Sequence, residues 1–192
     1  MRLFVAIEFP NDVATKVSER MRALANVLKD PRSALRWVGR EQLHVTLKFL
    51  GETRDDKVPS LKTSIQDALS KHRLFSLELG GVGGFGGQDG YRVIWLGIGE
   101  GAEKAGELAN SIETACEPLG FPRENRRFHP HVTLARCKTG SCRVDRKSLK
   151  PDLTGNPVGT FRVDRVALIQ STLTPQGSKY AVLERFFLNG PS

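Results

Sequence analysis

Two of the four histidines in this chain stand in the same phrase, His44-Val45-Thr46-Leu47 and His131-Val132-Thr133-Leu134, 87 positions apart. An imidazole titrates near neutrality, so a pair can supply one group that takes a proton and one that gives it at the same pH. A hydroxyl two residues on adds a donor for charge that builds on a reacting oxygen. The pattern points to paired acid/base chemistry by side chains alone, for which no metal is required.

Successive side chains of a strand point to opposite faces. Leu43, Val45 and Leu47 then share an apolar face, and His44, Thr46 and Lys48 share the other. In the second phrase Val132 and Leu134 turn inward while His131 and Thr133 turn outward. Each phrase is therefore predicted to be a strand that shows one imidazole and one hydroxyl on one face.

The repetition extends beyond the motifs. RLFVAIE (2–8) is similar to RVIWLGI (92–98), and FSLELGGV (75–82) to FRVDRVALI (161–169), in order and nearly in register, as a duplication would leave them. Apolar residues at helical spacing predict helices over 11–29, 56–71 and 102–118, the last stopped by Pro118. These elements predict an α+β fold: one domain over 1–192, made of two lobes of approximately 1–88 and 89–192, with strand exchange between lobes allowed. Each lobe is a mainly antiparallel sheet with helices outside, the two related by a pseudo-two-fold axis around a central cleft.

The opening MRLFVAIEFP has five apolar positions before Glu8, too few for a signal segment, and no later run reaches membrane length. The expectation is a cytoplasmic protein without a membrane partner. Cys116, Cys137 and Cys142 are an odd count and a poor metal spacing, so reduced thiols are expected. The net charge is +8, and between 120 and 150 nine Lys and Arg, from Arg123 to Lys150, face only Glu124 and Asp145. Positive charge concentrated beside the second motif favours a polyanion, nucleic acid first.

With both motifs, RWVGREQLHVTLKFLGE, FHPHVTLAR and QSTLTPQGSKYAVL on view, the chain resembles the 2H phosphoesterase superfamily, and within it the RNA 2′,3′-cyclic phosphodiesterases once called 2′-5′ RNA ligases. The resemblance covers essentially the whole chain. It implies a bilobal fold with the site between the lobes and hydrolysis of RNA 2′,3′-cyclic phosphate ends, such as those of tRNA fragments, to 2′-phosphates, with 2′-5′ ligation in reverse. It implies His44 as general acid and His131 as general base, roles that the symmetric motifs do not distinguish by themselves. Thr46 and Thr133 would donate to non-bridging phosphate oxygens, and the resemblance adds Arg136 as a phosphate ligand. No cofactor and no metal are expected, and a monomer suffices because one chain carries both motifs.

Simple alternation puts Arg136 on the wrong face, so it reaches phosphate only if the strand bends first. Lys48 has the right parity but lies further along, or is simply solvated. His129 forms a His-x-His pair with His131 that metal could use, although an orienting or structural role suits the intervening Pro130 better. His72 is assigned no chemistry. Trp37, Phe128 and Tyr180 are base-stacking or core aromatics. Gly81, Gly83 and Gly86 spell a dinucleotide-loop spacing, but a strand follows where a helix is needed. That stretch reads as a flexible inter-lobe connection ending in a turn at Asp89-Gly90. Pro175 and Gly177 mark a hairpin, with Ser171 assigned to its turn. The alternatives are a phosphodiesterase for small cyclic nucleotides or an ADP-ribose cyclic phosphate, and a non-catalytic RNA- or nucleotide-binding module.

Overall fold

Both motif segments are strands, β3 (His44–Glu52) and β6 (His131–Cys137), antiparallel to one another and in register at the single pair Val45 and Val132. The computed structural model describes residues 1–28, 34–138, 142–149, 157–175 and 177–190. Beyond β3 lie β1 (Arg2–Glu8), β8 (Arg165–Thr174) and β9 (Gly177–Phe187). Beyond β6 lie β5 (Gly90–Ile98), β4 (Phe75–Gly87) and β7 (Gly159–Val163), and the short β2 (Leu35–Trp37) pairs with the far end of β6. The order β9-β8-β1-β3 on one side is matched by β7-β4-β5-β6 on the other. Segments similar in sequence (β8 with β4, β1 with β5, β3 with β6) occupy equivalent places, which is the pseudo-two-fold α+β arrangement expected of a duplication.

Among the described residues three helices cover the apolar face. In α1 (Asn11–Leu28) Val13, Val17, Met21 and Leu24 are buried at helical spacing; Lys29, the last residue of the expected helix, lies outside the described residues. Helix α2 (Val58–Leu69) starts with Pro59 in its first turn, where a missing N–H costs nothing. Helix α3 (Ala102–Cys116) stops short of Pro118, which sits in a following 3-10 turn closed by Gly120 at φ 89°. α3 packs on β3 and on α2, α2 on β9, and α1 on β7. One continuous core runs under both halves of the sheet, including Val45, Leu47, Val132 and Leu134. No helix among the described residues is long and apolar enough to cross a membrane.

The glycine-rich stretch is a strand rather than a flexible connection. β4 pairs with β5 from Leu79 to Gly87 and turns at 88–89 into Gly90. Its glycines make room for rings: a Cβ on Gly83 would lie 2.3 Å from the indole of Trp95, and one on Gly84 would lie 2.3 Å from the ring of Tyr91. Cys137 and Cys142 form a disulfide, which corrects the expectation of reduced thiols. The odd count is accounted for by Cys116, a core residue of α3 whose thiol burial pushes up to about 11.

Candidate active site

Each motif strand carries a bulge at the same place. In β3, Thr46 lies opposite Ala6 and Lys48 opposite Val5, so Leu47 is an extra residue. In β6, Thr133 lies opposite Trp95 and Ala135 opposite Ile94, so Leu134 is extra. A bulge reverses the facing of everything after it. His44 and Thr46 face the cleft, Leu47 and Lys48 both turn inward, and Phe49 returns to the cleft; the second strand repeats this with Leu134, Ala135 and Arg136. Arg136 therefore joins His131 and Thr133 on one face, its Nη2 3.4 Å from Thr133 Oγ1. Lys48 leaves the cleft. It is 2% exposed, and its Nζ donates to Glu113 Oε2 at 2.5 Å and to the Pro122 carbonyl at 3.0 Å.

The two imidazoles are held alike. His44 Nδ1 lies 2.6 Å from the Gln42 carbonyl and His131 Nδ1 lies 2.7 Å from the His129 carbonyl. A carbonyl can only accept, so Nδ1 carries the proton in both rings and Nε2 is left for chemistry. His44 Nε2 is 3.0 Å from Thr46 Oγ1. His129 thus orients its neighbour through its backbone, and its ring lies edge-on to Phe85 at 5.6 Å. No cluster of three or more His, Cys, Asp or Glu with metal-holding geometry occurs among the described residues.

Burial holds both histidines below the ordinary imidazole range. The carbonyl bonds oppose this. Neighbouring positive charge reinforces it: His131 and Arg136 act on His44, and His129, Arg136 and Arg126 act on His131. A phosphate placed between the two imidazoles would reverse the balance and favour a proton on one.

His44, Thr46, His131, Thr133 and Arg136 line one cavity of about 1050 Å³. Its walls include Trp37 of β2, the β8–β9 hairpin and Phe49, 58% exposed at the position in β3 that Arg136 holds in β6. The hairpin is tied to the first motif through Gln42, whose side chain donates to the Ser178 carbonyl. Tyr180 stands edge-on to His44 at 5.6 Å and to Phe4 at 5.1 Å. Ser171 lies within β8 opposite Tyr180 and lines the cavity, rather than shaping the turn. His72 is remote, 2.8 Å from Ser111 on α3. Phe128 lines a neighbouring groove. Phe49, Phe85 and Trp95 escaped the sequence reading, the first because the bulge that turns it to the cleft is set by pairing with β1.

A profile of the 2′-5′ RNA ligase superfamily matches residues 10–174. An RNA 2′,3′-cyclic phosphodiesterase of Aquifex aeolicus is 32% identical over 99% of this chain and 98% of its own length. One of Methanothermobacter thermautotrophicus is 31% identical over 98% and 99%. Among solved structures, TT0787 of Thermus thermophilus superposes with a TM-score of 0.76 at 30% identity over all of both chains. E. coli LigT complexed with 3′-AMP superposes with a TM-score of 0.76 at 27% identity over 97% of each.

Proposed function

Since this chain belongs to the 2′-5′ RNA ligase superfamily, we propose that it hydrolyses RNA 2′,3′-cyclic phosphate ends to 2′-phosphomonoesters. The observation that carries the reading is the pair of Nε2 atoms on one face of two adjoining strands, each with its threonine, in one cavity with Arg136. In the forward reaction Nε2 of neutral His131 takes a proton from water as its oxygen bonds to phosphorus. The bond from phosphorus to the 3′ oxygen breaks on the opposite side, and that oxygen takes the proton of Nε2 on protonated His44. Thr46, Thr133 and Arg136 hold the non-bridging oxygens, whose charge builds in between. The scheme uses two imidazoles for both proton transfers and needs no metal.

The division of labour between the histidines follows the family resemblance, and the asymmetry supports it. Arg136 stands with His131, where incoming water and phosphate oxygens gather, while Phe49 and Tyr180 give the His44 side an apolar wall for a nucleoside. By microscopic reversibility the same groups would serve 2′-5′ ligation. A cleft completed within one chain fits a monomer, and RNA ends in the cytoplasm, tRNA fragments among them, fit its size and charge better than a small cyclic nucleotide. We read the whole as one domain whose two lobes follow the sheet, with β2 and β4 of the first half of the sequence joining the second half, and β8 and β9 of the second half joining the first.

His44→Ala and His131→Ala should each lower kcat on a cyclic-phosphate RNA by about a hundred-fold or more, with substrate affinity largely retained. Full turnover in either variant would rule out the two-histidine mechanism.

A further inference from the structure

The cleft does not end at His131. A second groove of about 360 Å³ opens from it, sharing Thr46, Phe49 and His131 with the main cavity. Its far wall is the segment between α3 and β6, which carries Arg123, Arg126 and Arg127. The buried bond of Lys48 to Glu113 and to the Pro122 carbonyl pins the start of that segment, and Glu113 also accepts from the Glu124 backbone N–H at 3.4 Å. Arg123 is committed to α3, donating to Asn110 Oδ1 at 2.5 Å and Thr114 Oγ1 at 2.8 Å. Arg126 and Arg127 are exposed toward solvent, and among the residues lining the groove Glu124 is the one exposed acid.

Arg126 does something more specific. Its guanidinium lies over the ring of Phe85, 5.3 Å from the centroid, and Phe85 in turn stands edge-on to His131 at 4.8 Å. A guanidinium stacked on a ring leaves its other face open, and such planes and rings are what unpaired bases stack on. Phosphate-binding cations beside a stacking surface are the usual composition of a single-stranded nucleic-acid groove. An RNA with a cyclic phosphate at its end can leave the reacting centre only through its 5′ side. The groove begins at the reacting centre and has the volume of a small-molecule site.

We infer that this groove holds the nucleotide immediately 5′ of the cyclic-phosphate terminus, its phosphodiester against Arg126 and Arg127 and its base on the Arg126–Phe85 stack. The inference rests on the phosphodiesterase reading and adds that the protein selects a polynucleotide end over a free cyclic nucleotide.

The test compares two substrates, a 2′,3′-cyclic mononucleotide and a dinucleotide with the same terminal nucleotide and cyclic phosphate. Wild-type protein should favour the dinucleotide in kcat/KM by about ten-fold, the worth of one stacked base and one phosphate contact. Arg127→Ala should shrink that ratio by raising KM for the dinucleotide, and Arg126→Ala/Arg127→Ala should bring it near unity. The dependence of log KM on log salt for the dinucleotide should flatten by about 0.7 for each phosphate that the variant leaves without its arginine. Equal losses on both substrates would overturn the inference, because the groove would then serve the terminal nucleotide. So would a wild-type ratio near one. Wild-type protein inactive on both substrates would instead strike the phosphodiesterase reading itself, and this subsite with it.

Discussion

Arg136 carries two electrostatic roles in one side chain. In the proposed mechanism it binds the phosphate, and its positive charge helps to keep both imidazoles neutral in the free protein. The acid limb of kcat/KM, which reports free enzyme and free substrate, is in the proposed mechanism protonation of His131, and the alkaline limb is loss of the proton from His44. With both groups lowered, the alkaline limb should fall at a pH below the ordinary imidazole value of about 6.5. In kcat, where bound phosphate favours the protonated acid, it should move upward. Arg136→Gln removes positive charge from beside both rings, so both limbs of kcat/KM should shift to higher pH. Its maximum should drop by about ten- to a hundred-fold as the charged hydrogen bonds to phosphate disappear. A lowered profile that keeps its position would mean that Arg136 binds phosphate without setting the imidazoles.

At the level of secondary structure, the two bulges decide which side chains reach the site. The strands, their inward and outward residues as far as Thr46 and Thr133, and the three helices were legible from alternation and helical spacing. Beyond Thr46 and Thr133, parity failed for one reason, since an extra residue in a strand depends on its neighbour's register and leaves no local mark in composition. The same bulge sent Lys48 into the core and brought Arg136 into the cleft. Lys48 now clamps β3 to α3 through Glu113, both largely buried, with side-chain exposures of 1% and 11%. Removing one partner strands a buried charge, so Lys48→Met should cost about 3–5 kcal/mol, whereas Lys48→Met/Glu113→Leu should recover most of it. Thermal or urea unfolding of the two variants measures the difference. A double variant no more stable than the single one would show that the pair contributes by more than charge compensation.

For the protein taken entire, the internal repeat announced a duplicated α+β fold with two motif strands facing one cleft. The sheet shows how: β4 crosses to the half that holds β5 and β6, and β8 returns to the half that holds β1 and β3. Sequence similarity told which segments are equivalent, not which pair, because pairing is settled by long-range packing rather than by local pattern. Of the cations around the second motif, Arg136 lines the main cavity, Arg123, Arg126 and Arg127 line the neighbouring groove, and Lys150 lies outside the described residues. The glycine-rich segment was misread because glycine signals freedom as readily as it signals a ring packed on the backbone, and only the rings of Trp95 and Tyr91 distinguish the two. The reaction itself is tested by incubating the protein with an RNA ending in 2′,3′-cyclic phosphate, in the presence of EDTA, and locating the phosphate of the product. Conversion to a 2′-phosphomonoester is expected; a 3′-phosphate product, or no conversion until a metal is restored, would refute hydrolysis by the two histidines alone.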